Sequence, residues 1–334
     1  MTLLISQEIQ VEGCLSAGDP RTYTPEAAVT TAQAPADEWV AALTGLCPAQ
    51  SEEYARTHHR LNVHNYLPRT SHDGGPGAGK CEWSSHTGTS LIPEEGGALA
   101  WVLIDTIMRA RFGVAMGWYD SWREHTLNGT KLSPRDTKVV AAFIEPVFGL
   151  PTKPKSTDHL HGHIAEWLLH LLTKNNAAVR LQPDPKGDVT DAGADAFSIY
   201  ENSAGALRFR LWESKKNTGN GPLSASSSKA YKQITDEGQR YVGKLVSTFQ
   251  RDSHSAEIIT LIEQLPAAWV QGDALVGAGV SLATQQPLSA QPFKKMSEKL
   301  PLLSKPGQLR GLATSISCYK ELAETVRRYA WTAL

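Results

Sequence analysis

The sequence predicts an α/β fold, a mixed sheet flanked by helices, from three observations. Residues 195–216, D-A-F-S-I-Y-E-N-S-A-G-A-L-R-F-R-L-W-E-S-K-K, alternate with period two on both sides of Ser203-Ala204-Gly205, which reads as a β-hairpin. Helical apolar spacing precedes it over 157–174 and follows it over 226–248. A buried strand, A-L-V-G-A-G-V-S-L-A, then occupies 274–283. With a short strand at 177–182, the order becomes helix, strand, strand, strand, helix, strand.

Taken in order, the first region reads as α+β with an unassigned regulatory or partner-docking role. Residues 3–11 alternate weakly as a strand, and 37–46 have helical spacing. Residues 68–95, rich in Gly, Ser, Thr and His, read as a surface loop. Within it, G-G-P-G-A-G-K-C at 74–81 approaches a phosphate-binding loop. Cys81 stands where a magnesium-binding hydroxyl belongs, and the polar stretch 68–73 is no hydrophobic strand, so a Gly-rich loop is the better reading. Helices follow at 96–112 and 133–148, the second with Ser133 as cap, Pro134 in the first turn and Pro146 as a kink or stop.

The Pro- and Lys-containing stretch 150–156 reads as a linker, dividing the chain into 1–150 and 151–334. Thr157 or Asp158 can cap the next helix, whose stripe is Ile164, Leu168, Leu171 and Leu172. A polar loop, 183–193, leads to the hairpin, and a Gly/Ser/Asn loop, 217–228, leaves it. Beyond the basic helix 226–248 come a helix at 256–265, the strand 274–283, a connection at 287–305 and a closing helix at 314–334.

The hairpin carries the chemistry. A three-residue loop of this kind ends in a positive-φ residue, where Gly205 belongs. Symmetry about Ala204 makes paired positions sum to 408, which sets Asp195 opposite Glu213. Alternation then gathers Asp195, Phe197 and Ile199 with Phe209, Leu211, Glu213 and Lys215 on one face. Opposed Cβ atoms lie about 4.5–5.5 Å apart, so the two carboxylates repel unless a cation lies between them. A hard divalent ion, Mg²⁺ or Mn²⁺, suits such a pair, and Lys215 is placed to orient water or steady phosphate charge. The same register sets Asp184, Asp188 and Asp191 too far out to serve as the first acid.

This Asp…Glu-x-Lys arrangement on a hairpin, Asp195 with Glu213-Ser214-Lys215, resembles the PD-(D/E)xK nuclease superfamily, and the element order over 158–285 is similar to its restriction-endonuclease-like core. The resemblance implies metal-dependent hydrolysis of DNA phosphodiester bonds, with Asp195, Glu213 and the Ser214 carbonyl as metal ligands, Glu166 of the preceding helix as a further ligand, and Lys215 positioning water. It also implies that the following strand end and helix contact the nucleic acid, through Lys216, Lys229, Lys232, Gln233 and Arg240. The run L-W-E-S-K-K with its Ser-rich loop and basic helix looks like the nuclease subunits of Hachiman-type antiphage systems, which implies a helicase partner. A stand-alone restriction endonuclease would carry the same outline, and a nuclease-like module that binds without cutting is the alternative of another class.

Composition limits the rest. The net charge of −1 over 334 residues conceals an asymmetry: residues 1–57 hold eight acids against two Arg, a net of −6, whereas 204–251 hold nine Lys/Arg against three acids, a net of +6. Positive potential near the hairpin is what phosphate contacts require. Cys14, Cys47, Cys81 and Cys318 form no C-x-x-C pair, so reduced thiols are expected. With no signal peptide or membrane-length apolar run, a soluble cytoplasmic protein away from membranes is expected. Two rival metal sets are weighed and set lower: His159, His163, Glu166 and His170 along one helix face, and His58, His59, His64, His72, Cys81 and His86, whose spacing matches no recurrent zinc pattern.

Overall fold

A computed structural model describes residues 36–72, 81–174, 176–185, 194–288 and 291–334. Seven strands form one mixed sheet: β1 (Arg69–His72), β2 (Cys81–Gly88), β5 (Val179–Leu181), β6 (Ala196–Glu201), β7 (Leu207–Asn217), β8 (Val276–Thr284) and β9 (Leu309–Ile316), in the order β1-β2-β9-β8-β7-β6-β5. β2, β9, β8 and β7 run parallel, and both edges are antiparallel. A two-residue hairpin, β3 (Gly149–Leu150) and β4 (Lys153–Pro154), stands apart. The helices are α1 (Ala36–Gly45), α2 (Pro48–Thr57), α3 (Pro93–Phe112), α4 (Met116–Asn128), α5 (Pro134–Phe148), α6 (Thr157–Lys174), α7 (Leu223–Thr248), α8 (Ala256–Gln271), the short α9 (Met296–Lys299) and α10 (Tyr319–Trp331).

Two cores sandwich the sheet. On one face Trp212, Ala283, Leu312 and Ile316 pack with α3, α6 and α10, where Trp122 and Trp167 are fully buried. On the other, Phe209, Leu211, Val280 and Leu282 meet α7 and α8. β8 is buried at all positions, which is why its sequence is a continuous apolar run rather than an alternation. Gly279 is required there: a Cβ would come within 2.2 Å of the Trp212 ring lying over it.

The order helix, strand, strand, strand, helix, strand is found from α6 to β8, with α8 inserted before the last strand. Ser156, rather than Thr157 or Asp158, caps α6, its Oγ accepting the His159 N–H at 3.2 Å. Ser133 caps α5 as expected, but the helix continues through Pro146 to Phe148. α8 likewise passes through Pro266 to Gln271, beyond the expected end at 265.

Two corrections concern strands. The loop expected over 68–95 contains β1 and β2, and β2 is largely buried against β9. Its Ser, Thr and His residues masked a strand whose polar groups find partners: the His72 ring hydrogen-bonds Ser85 Oγ at 2.8 Å, and His86 Nδ1 meets the Leu67 carbonyl at 3.1 Å. The closing helix expected from 314 begins only at Tyr319, because Leu309–Ile316 is β9, buried on both faces and therefore without alternation. The division expected at 150 falls in the β3–β4 hairpin, and residues on its two sides share the sheet and one of its cores. The weak strand at 3–11 and the Gly-rich run 74–80 lie outside the described residues. Cys47, Cys81 and Cys318 are free thiols, and among the described residues no helix is long and apolar enough to cross a membrane.

Candidate active site

The hairpin register is the expected one, running from Ala196↔Trp212 to Glu201↔Leu207. Its turn is closed by Asn202, whose main-chain N–H bonds the Ala206 carbonyl and whose Oδ1 accepts from the Ala204 and Ala206 amides; Gly205 takes φ +79°. Asp195 stands one residue before the ladder, and its Oδ2 accepts the Ser214 N–H at 2.6 Å, fixing the carboxylate across from Glu213. The three acids and the amine come from three elements: Glu166 from α6, Asp195 from the entrance to β6, Glu213 and Lys215 from β7.

Glu213 is 1% exposed. Its Oε1 accepts from Lys215 Nζ, while Oε2 is buried with no donor to accept from. Burial, followed by the charge of Asp195, pushes the Glu213 carboxyl up to about 9, against the pull of Lys215. As a protonated acid it gains a bond by donating to Asp195. Burial also raises Asp195, opposed by Lys215 and the Ser214 amide. Glu166 is raised well above the usual carboxylate range by burial and then by Asp195. Burial would lower the Lys215 ammonium, but Glu213 and Asp195 outweigh it and hold it protonated. One ammonium thus lies among three acids whose proton affinity burial raises, an effect that a second cation would oppose.

α7 completes the site. Gln233 Oε1 accepts from Lys215 Nζ at 3.0 Å, and Gln233 Nε2 donates to Tyr241 Oη at 3.1 Å. Gln233 was expected to reach phosphate; here its amide orients the lysine. Tyr241 is eight residues from Gln233, a spacing that puts both on one helical face.

Comparison of the chain with protein-family models, curated proteins and solved structures finds no match.

Among the described residues no group of three or more His, Cys, Asp or Glu is gathered tightly enough to hold a metal by itself. Asp195 and Glu213 are the two that meet, so an ion here would rest on two carboxylates, a main-chain oxygen and water, a donor set suited to Mg²⁺ or Mn²⁺. The unserved Glu213 Oε2 and the raised Glu213 carboxyl fit such an ion.

The expected nucleic-acid contacts differ in setting. Lys216 is tied to the Asp158 carboxylate and carbonyl, joining β7 to the start of α6. Lys229 is exposed on α7. Lys232 pairs with Asp236, and Arg240 pairs with Glu237 beside the Tyr241 ring. Of the rival histidines, His163 and His170 are buried, the His163 ring accepting from Trp167 Nε1 at 3.0 Å and His170 meeting Asp184 at 3.1 Å, whereas His58 and His59 are exposed. Asp184, bound also by Lys174, lies with α6 rather than with Glu213.

Proposed function

We propose that the protein is a metal-dependent nuclease with a restriction-endonuclease-like core of the PD-(D/E)xK type, hydrolysing DNA phosphodiester bonds. The observation that carries this reading is the convergence of Asp195, Glu213 and Lys215 at the open end of the hairpin, where the buried Glu213 carboxylate leaves Oε2 without a partner. Asp195, Glu213 and the Ser214 carbonyl would hold Mg²⁺ or Mn²⁺, with Glu166 as an outer ligand. The ion, when bound, supplies Lewis-acid stabilisation of the phosphate and lowers the pKa of water. Lys215, steered by Gln233, orients the attacking water and offsets developing negative charge. The Ser214 amide keeps the Asp195 carboxylate turned towards Glu213. Lys229, Lys232 and Arg240 supply phosphate contacts along α7, and exchanging the intrahelical partners of Lys232 and Arg240 for phosphates costs little because such exposed pairs are weak.

The likeness of L-W-E-S-K-K and the following loop and helix to Hachiman-type nuclease subunits supports a role in antiphage defence beside a helicase. The test is a plasmid-relaxation assay on the chain alone and with any protein that co-purifies from the source cell. Nicking with Mg²⁺ or Mn²⁺, abolished by chelation and by Asp195→Asn, is the expected result. Binding of plasmid without nicking under every metal and partner would instead assign a non-cutting module.

A further inference from the structure

A cavity of about 980 Å³ lies away from this site. Its floor is the α6 face of the sheet, crossing from β2 through β9 and β7 to β6, and the end of α6 and the start of β5 form one wall. It shares β7 with the acidic pocket but uses the alternate side chains: Arg208, Arg210 and Trp212 face the cavity, whereas Glu213 and Lys215 point to the other side.

Charge in this cavity is unbalanced. Its carboxylates are already engaged, Glu82 by Arg310 and Glu201 by Arg180. Among the described residues Arg69, Arg208 and Arg210 are left without a carboxylate partner. Arg210 is the most telling, because it is only 7% exposed. Its guanidinium donates to Tyr200 Oη and the Gly307 carbonyl, both at 2.7 Å, and lies 4.5 Å over the Tyr200 ring, yet Nε has no partner. A buried cation without a counter-ion is costly, and a guanidinium edge matches phosphate geometry. The cavity is at the upper end of sizes typical for small-molecule sites, too large for a lone inorganic anion, and Tyr200 and Trp212 line it with aromatic surface.

We propose that this cavity is a second, non-catalytic site for a nucleoside phosphate, its phosphates held by Arg69, Arg208 and Arg210 and its ring against the aromatic floor. The test is isothermal titration calorimetry of the full chain with ATP in EDTA, so that the acidic pocket holds no metal. ATP is expected to bind with a Kd of roughly micromolar order, weakened at least ~10-fold, or about 1.4 kcal/mol, by Arg208→Glu and by Arg69→Glu. Both positions reach the surface, and circular dichroism checks that the variants fold. Glu213→Gln is expected to bind ATP as the wild type does. The proposal is overturned by absence of ATP binding, by ATP affinity unchanged in both arginine variants, or by pyrophosphate binding as tightly as ATP. It is also overturned if a short oligothymidylate binds in an Arg208-dependent way while ATP does not, since that would make the cavity a strand-binding groove.

Discussion

Glu213 has the most consequential protonation in the site. An unfolded glutamate loses its proton near its ordinary value of 4.5, whereas folded Glu213 keeps it to about 9. Raising the pH through that window therefore favours the unfolded chain. Metal-free protein is expected to lose thermal stability steadily from about pH 5 to 9; Glu213→Gln should flatten the loss, and Mg²⁺ should restore stability to the wild type but not to the variant, both read by calorimetry. The opposition of Asp195 and Glu213 is legible in the sequence because symmetry about Ala204 sets the register. The burial of Glu213 is not, since nothing local distinguishes a strand-end glutamate in solvent from one beneath a helix.

At the scale of elements, the hairpin and α7 act together. Gly205 sits at φ +79°, so Gly205→Val forces a branched side chain into left-handed backbone and should cost about 1–2 kcal/mol, measured by urea unfolding. α7 acts through Gln233, which links Lys215 to Tyr241. Gln233→Ala should lower single-turnover cleavage about 10-fold, less than the ~100-fold for outright removal of a charge-stabilising group because Lys215 itself remains, and move the pH–rate profile; a purely structural residue would leave the profile in place. The amphipathic pattern of α7 was readable, but the rotation that aims Gln233 at Lys215 depends on packing against α8, which the pattern does not encode. β9 was hidden for a different reason. Leu309, Leu312 and Ala313 suit helix or strand alike, and a strand buried on both faces shows no alternation to choose between them.

Over the whole molecule, the sheet makes the two sides of residue 150 interdependent. β2 covers the edge of β9, and α3 packs against α10 in a shared apolar core. A chain beginning at 151 would expose a parallel strand edge and that apolar helix face, so it should aggregate or fail to unfold cooperatively, as judged by size-exclusion chromatography and thermal melting. The acidic pocket is thus held by a scaffold that draws on both halves of the chain. The most direct measurement is the single-turnover rate of cleavage of a labelled DNA duplex in Mn²⁺ by the intact protein and by Glu213→Ala and Lys215→Ala. The expected result is wild-type cleavage with at least a ~100-fold loss in each variant, as for removal of one charge-stabilising group; cleavage at equal rates in all three would contradict the assignment.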